Sequence, residues 1–264
     1  MQEQAGGVMY FCSREGEVAL NYIGCSQCGD SFDLVSEKCD IASFIEEHAG
    51  EPAHQSKLKD LRPRYCAIRK ARADGSCFFR GLAFSYLESL LGDRQEIVSF
   101  RERVTESRNE LLAGGFQEQA FGRCYSTFLS VVDLAESDGS VSALLRAFNN
   151  PDISDNAVRY LRLVTSAFLR NRAEFYQPFV EEGLQVTDFC TQYVEPMTAV
   201  CDHIHISALT QALAIPLQVE YVDSMDSAIN QHTFPDGARP SIYMLYKQDH
   251  YTVLYRVLDQ GAEQ

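Results

Sequence analysis

An α+β fold is predicted for this chain of 264 residues, and two observations predict it. Helix-period apolar patterns fill the middle of the sequence, and aromatic and aliphatic runs of strand character close it. Helices first and a mainly antiparallel sheet last imply segregated layers, not alternating βαβ units. Residues 1–31 contain two Gly-bounded pieces of mixed periodicity and are expected to form a poorly ordered N-terminal extension. Helices are predicted near 40–48 and 54–63, followed by a short strand, Tyr65–Arg69. A helix beginning at Cys77 sets Phe79, Ala83, Leu87 and Leu90 on one stripe, at spacings of three and four. Further helical patterns occupy about 94–113, closed by Gly114-Gly115, then 119–136, 140–148 and 154–171. Shorter ones lie near 173–181 and 186–193, and a helix at 203–213 leads into a strand at 216–222. Residues 241–255 read as two strands joined by a short polar turn, a β-hairpin. There is no internal repeat and no low-complexity segment.

Composition narrows the function classes. Hydrophobic residues make up 45% of the chain, ample for a core, and no run of 18 apolar residues exists to span a membrane. The opening Met1-Gln-Glu-Gln-Ala-Gly-Gly lacks the basic and apolar blocks of a signal peptide. Nine cysteines, an odd number scattered without a framework, point to reduced thiols in a cytoplasmic or also nuclear protein. With 23 basic against 37 acidic residues the net charge is −14, which argues against nucleic-acid binding.

The chemistry-bearing stretch is Asp74-Gly-Ser-Cys77-Phe-Phe-Arg-Gly81, a tight turn that runs into an apolar helix. Unpaired N–H groups and the positive end of the helix dipole favour negative charge at such a helix start. Cys77 is therefore the candidate nucleophile, with its pKa expected below that of a free thiol. Gly75 permits the sharp bend. The backbone N–H groups around Asp74, Gly75, Ser76 and Cys77 are candidates to hold an oxyanion. His250, which opens the last strand, is the candidate general base and acid. Side chains alternate along a strand, so Thr252 shares its face and is the positional candidate to orient the ring. Asp249 adjoins the histidine but should project to the opposite face.

These residues resemble the otubains, within the ovarian-tumour (OTU) family of deubiquitinating cysteine proteases, and more closely the shorter of the two paralogues. The Asp-Gly-x-Cys turn, the helix after it and the terminal His-Tyr-x-x-Leu-Tyr strand carry the resemblance. So do Phe32-Asp-Leu-Val-Ser-Glu-Lys-Cys-Asp-Ile41, Val194-Glu-Pro-Met197, Cys201-Asp-His-Ile204 and Leu217-Gln-Val-Glu-Tyr-Val-Asp223. The resemblance implies a papain-like α+β catalytic domain over residues 32–258, leaving 259–264 as a tail. It implies hydrolysis of the isopeptide bond after ubiquitin's terminal glycine, polyubiquitin chains included, by a monomer that needs no metal or organic cofactor. Partners would be ubiquitin, polyubiquitin chains and ubiquitin-conjugating enzymes; an acidic surface is compatible with the arginines of ubiquitin's tail. Two alternatives stand beside this reading: a largely non-catalytic ubiquitin-binding regulator of conjugating enzymes, and a protease for a ubiquitin-like modifier.

Two residues depart from the family pattern. Ser76 stands where the turn carries Asn, and serine is itself a good helix cap. Thr252 stands where otubains carry Asp or Asn; its hydroxyl accepts one hydrogen bond but brings no charge, which predicts a weakened third member. Elsewhere the expectations are structural. Cys25 and Cys28 have half a zinc site's spacing but lack a second ligand pair. His203 and His205 open a helix capped by Asp202 and point apart. Cys66, Cys124, Cys190 and Cys201 are expected in the core, and Arg69, Lys70 and Arg72 on a solvated strand edge.

Overall fold

The computed structural model describes residues 33–50, 52–222 and 229–257. The proposed extension at 1–31, the Cys25 and Cys28 pair and the tail at 259–264 lie outside the described residues. In chain order the elements begin with β1 (Cys39–Asp40), α1 (Ile41–Glu47), α2 (Pro52–Leu61), β2 (Tyr65–Lys70) and α3 (Cys77–Leu90). There follow α4 (Arg94–Ala113), α5 (Glu118–Ser137), α6 (Val141–Phe148), α7 (Pro151–Asn171), α8 (Ala173–Tyr176), α9 (Val186–Phe189) and α10 (His203–Ala212). The chain closes with β3 (Leu217–Tyr221), β4 (Asn230–Phe234), β5 (Ile242–Lys247) and β6 (His250–Arg256).

Side-chain caps set the starts of α4, α6 and α7. Asp93 accepts the Glu96 N–H and Ser140 the Ala143 N–H. Asn150 accepts from Asp152 and Ile153, with Pro151 in the first turn, so α7 starts at 151, earlier than the predicted 154. The pattern read near 186–193 divides into α9 and a π turn, Cys190–Val194. That near 173–181 divides into α8 and a 3₁₀ turn, Gln177–Phe179. Two strands escaped prediction: β1 has only two residues, and β4 is too polar to show an alternating pattern.

The sheet is mixed, in the order β1-β2-β6-β5-β3-β4. Every pairing is antiparallel except β3 with β5. Successive residues of its strands serve opposite cores. Met244, Tyr251 and Val253 face the main core with α3 and the helices that follow it. Tyr65, Ile68, Leu245 and Leu254 face a smaller one closed by Ile41, Phe44 and Ile45 of α1 and Leu58 and Leu61 of α2. Central strands covered on both faces explain one correction: Arg69 is buried, donating to Ser36 O, Glu88 and Tyr255 Oη, because β2 lies inside the sheet with α3 across it. Cys66 corrects the other way, an exposed residue where the register of β2 against β6 shifts between Tyr65 and Ala67.

Helix α3 was expected to bury one stripe; it buries every residue from Cys77 to Leu87. Gly81 permits this, since a Cβ there would lie 3.1 Å from Met244 Cε and 3.3 Å from a Val253 methyl. A second close approach is at Gly114, where a Cβ would fall 2.8 Å from the Cα of Ala167 and 2.9 Å from its Cβ. Gly114→Ala must therefore push the end of α4 off α7. It should cost about 1–3 kcal/mol, read as a lower urea midpoint at unchanged slope.

Candidate active site

The turn before α3 is held from both sides. Gly75 has φ +83°, a left-handed conformation, and a Cβ there would lie 2.5–2.8 Å from the backbone of Thr198. Only glycine fits. The Asp74 carboxylate accepts the Ser76 N–H at 2.9 Å and is gripped by both oxygens to Arg80 Nη1, at 2.9 and 3.0 Å. Arg80 is itself buried and reaches Ser154 and Asp155 at the start of α7. Ser76 occupies the N-cap position without capping. Its hydroxyl instead donates to Met197 O at 2.7 Å, because Asp74 already serves the Ser76 amide and the loop carbonyl lies within reach.

These bonds sort the candidate oxyanion donors. The Asp74 N–H is spent on Arg72 O at 3.0 Å and the Ser76 N–H on the Asp74 carboxylate. Among the described residues the Gly75 and Cys77 amides make no such bond, and they are the donors left free to meet negative charge. Asp74 thus belongs to the turn through its carboxylate more than its amide.

Cys77 is 5% exposed, and the nearby backbone N–H groups of Tyr251 and Phe78 favour a negative sulfur. Burial outweighs them and pushes the thiol pKa up, contrary to the expectation from the helix start. The Tyr251 contact brings the sulfur to the first residues of β6, and edge-on packing of the Phe78 and Tyr251 rings at 5.1 Å fixes it there. The residue before Tyr251 is His250.

His250 follows a tight two-residue turn, Gln248 and Asp249, both at positive φ, as a hairpin of this length requires. The Asp249 carboxylate accepts from Tyr246 Oη at 2.8 Å, and among the described residues no hydrogen bond joins it to the imidazole. Thr252, 4% exposed, sits between Lys70 of β2 and Leu245 of β5, on the face that Leu254 turns to the smaller core. Among the described residues no hydrogen bond joins His250 to Cys77 or to Thr252, and the buried His250 Nδ1 has no partner. Desolvation, with the Lys70 charge adding to it, holds the ring pKa at about 4. Thiol and imidazole are both neutral at rest.

Two arginines that the motifs do not point to, Arg80 and Arg162, support the turn. The signal was present. Cys77, Arg80, Phe84 and Leu87 form one stripe of α3, and Val158, Arg162, Thr165 and Leu169 one of α7, so each arginine interrupts a core-facing row. The remaining expectations fall out structurally. Asp202 caps α10 in a box with His205, whose Nδ1 accepts the Asp202 N–H while Nε2 bonds Tyr193 O. His203 stacks on Tyr221. Cys124, Cys190 and Cys201 are buried, and no metal-ligand cluster occurs among the described residues.

Comparison with known proteins gives the site its context. A family model described as Peptidase C65 Otubain matches residues 28–256. The ubiquitin thioesterase OTUB2 of Homo sapiens is 54% identical over 225 residues, covering 85% of this chain and 96% of the relative. The Homo sapiens ubiquitin thioesterase OTUB1 is 42% identical over 225 residues, covering 84% of this chain and 83% of the relative. Among solved structures, a ceOTUB1 complex with ubiquitin aldehyde and UBC13~Ub matches with a TM-score of 0.81 at 28% identity, over 86% of this chain and 95% of that one.

The depressed pKa of His250 has a consequence for stability. In the unfolded chain the ring takes a proton near pH 6.5, whereas in the fold it resists protonation to about 4. Between these values the unfolded state binds more protons, so stability falls as pH falls. Urea unfolding across pH 6.5–4 should show a shallower pH slope in His250→Gln than in the wild type; parallel slopes would mean the native ring is already charged.

Proposed function

The chain belongs to the otubain family of cysteine peptidases, peptidase C65, and from that membership we propose that it is a deubiquitinase. It cleaves after ubiquitin's C-terminal glycine with Cys77 as nucleophile and His250 as general base and acid. The observation that carries the assignment of roles is the packing of the Phe78 ring, next to Cys77, on the Tyr251 ring, next to His250, which brings the two residues together beside the Asp74–Ser76 turn.

Because both groups rest neutral, the proton moves as the bond forms. His250 takes the Cys77 proton while the sulfur attacks the glycine carbonyl carbon. The oxygen becomes an oxyanion facing the Gly75 and Cys77 amides, which need no reorganisation to meet it. Collapse breaks the C–N bond, and His250 gives its proton to the departing lysine amine. Water then attacks the thioester, delivers a proton through His250 to the sulfur and frees the ubiquitin carboxylate. A terminal Gly-Gly suits a sulfur this deeply covered, since glycine brings no side chain to clash on approach.

Thr252 is the third member of the site, positioned on the His250 face of β6 but unable to stabilise an imidazolium as a carboxylate would. Closure around substrate must form the Cys77–His250 bond, and apo sites commonly hold such bonds open. A second reading, a ubiquitin-binding regulator of conjugating enzymes, is favoured by structural relatives solved as complexes with UBC13~Ub and UBCH5B~Ub.

Incubation with ubiquitin bearing a C-terminal electrophile separates the two. A covalent adduct that is lost in Cys77→Ala is the expected result; ubiquitin binding without an adduct would select the regulator. In the enzyme, Thr252→Asn should raise the rate of diubiquitin or ubiquitin-ester cleavage, and an unchanged rate would assign ring orientation to another group.

A further inference from the structure

Arg162 lies at 0% exposure in the middle of α7, with no carboxylate in ion-pair range among the described residues. A buried guanidinium is ordinarily neutralised by a carboxylate. Its hydrogen bonds go instead to one place. Nη2 fans over Gly75 O at 2.9 Å, Ala199 O at 2.8 Å, Met197 O at 3.1 Å and Ser76 Oγ at 3.4 Å, and Nη1 reaches Val194 O at 2.9 Å. The plane is stacked 4.4 Å from the Phe79 ring centroid, while Nε is buried without a partner.

The Gly75–Ser76 peptide is thereby locked at both ends. Arg162 holds its carbonyl and Asp74 holds its N–H, each at 2.9 Å. Neither neighbouring peptide can then rotate freely, and those neighbours carry the Gly75 and Cys77 amides. The same guanidinium fastens the Val194–Ala199 loop, whose Thr198 backbone walls Gly75. Burial lowers the Arg162 pKa to about 10, which still leaves the cation charged at neutral pH, and its contacts with Gly75 O and Ser76 Oγ hold that charge against the two residues that precede Cys77.

Building on the assignment of Cys77 as nucleophile, we infer that Arg162 is the positioning residue of the oxyanion turn. It fixes the Gly75–Ser76 peptide plane and holds a cation without an ion-pair partner among the described residues against the turn that leads into Cys77. Lysine keeps the charge but cannot reproduce the planar fork. Glutamine removes the charge.

Three variants are compared: Arg162→Lys, Arg162→Gln and Phe79→Leu, the last removing the ring under the guanidinium. Folding is checked by circular dichroism. If Arg162→Gln fails to fold, the two variants that keep a cation carry the test. Ubiquitin-ester turnover is measured per folded molecule, and iodoacetamide alkylation of Cys77 is followed by mass spectrometry against pH. Arg162→Lys should lower kcat about 10²-fold with KM nearly unchanged and the alkylation midpoint in place. Phe79→Leu should shift kcat in the same direction by less. Arg162→Gln should in addition move the alkylation midpoint to higher pH. Wild-type kcat per folded Arg162→Lys molecule, or an unmoved midpoint in Arg162→Gln, would overturn the inference. The alkylation arm uses no ubiquitin. A midpoint shift without ubiquitin turnover in the wild type would therefore fault the substrate and leave the role of Arg162 standing.

Discussion

Helix α3 is packed on every side from Cys77 to Leu87, and most of the site follows from that enclosure. A helix N-terminus exposed to water has its free N–H groups solvated and its first side chains hydrated. Here neither holds, so each polar group at the start of α3 needs a protein partner or is left for substrate. The carboxylate of Asp74, the hydroxyl of Ser76 and the guanidinia of Arg80 and Arg162 are that set of partners. Enclosure also sets the protonation of the reacting groups. The helix dipole and two amides pull the Cys77 pKa down, but a sulfur this covered loses more from desolvation than it gains from them.

The architecture divides the labour of the sheet. Strand β6 presents Tyr251 and Val253 to α3 on one face and Leu254 to α1 and α2 on the other. Its first residues can therefore be held to the tolerance of a core, although they emerge from a two-residue turn at the sheet's end. Rigid packing on one face fixes where Cys77 sits against β6, and the opposite face determines what surrounds Thr252. Cys77 and Thr252 are thus supported by different cores.

Much of this was legible in the chain. Helix limits such as 94–113, the Cys77 start and the closing hairpin follow from periodicity, caps and turn residues, which are local. Local reasoning failed where the deciding neighbour is distant in sequence. Arg69 reads as a solvated edge because nothing nearby announces Glu88 and Tyr255. Ser76 reads as a cap because Met197 lies far along the chain. The thiol of Cys77 reads as acidic because the helix dipole is visible in sequence and the degree of burial is not. Arg80 and Arg162 belong to the same class, charges whose partners come from loops and turns on other elements.

The neutral resting pair bears on how long the protein keeps its thiol in the presence of oxidants. Peroxide oxidises thiolate, and a covered, protonated sulfur offers it little to attack. On the proposed mechanism the thiolate arises as the carbonyl arrives to trap it. On that mechanism oxidative loss of Cys77 is tied to turnover and not to time, because the same burial covers the sulfur in the resting molecule.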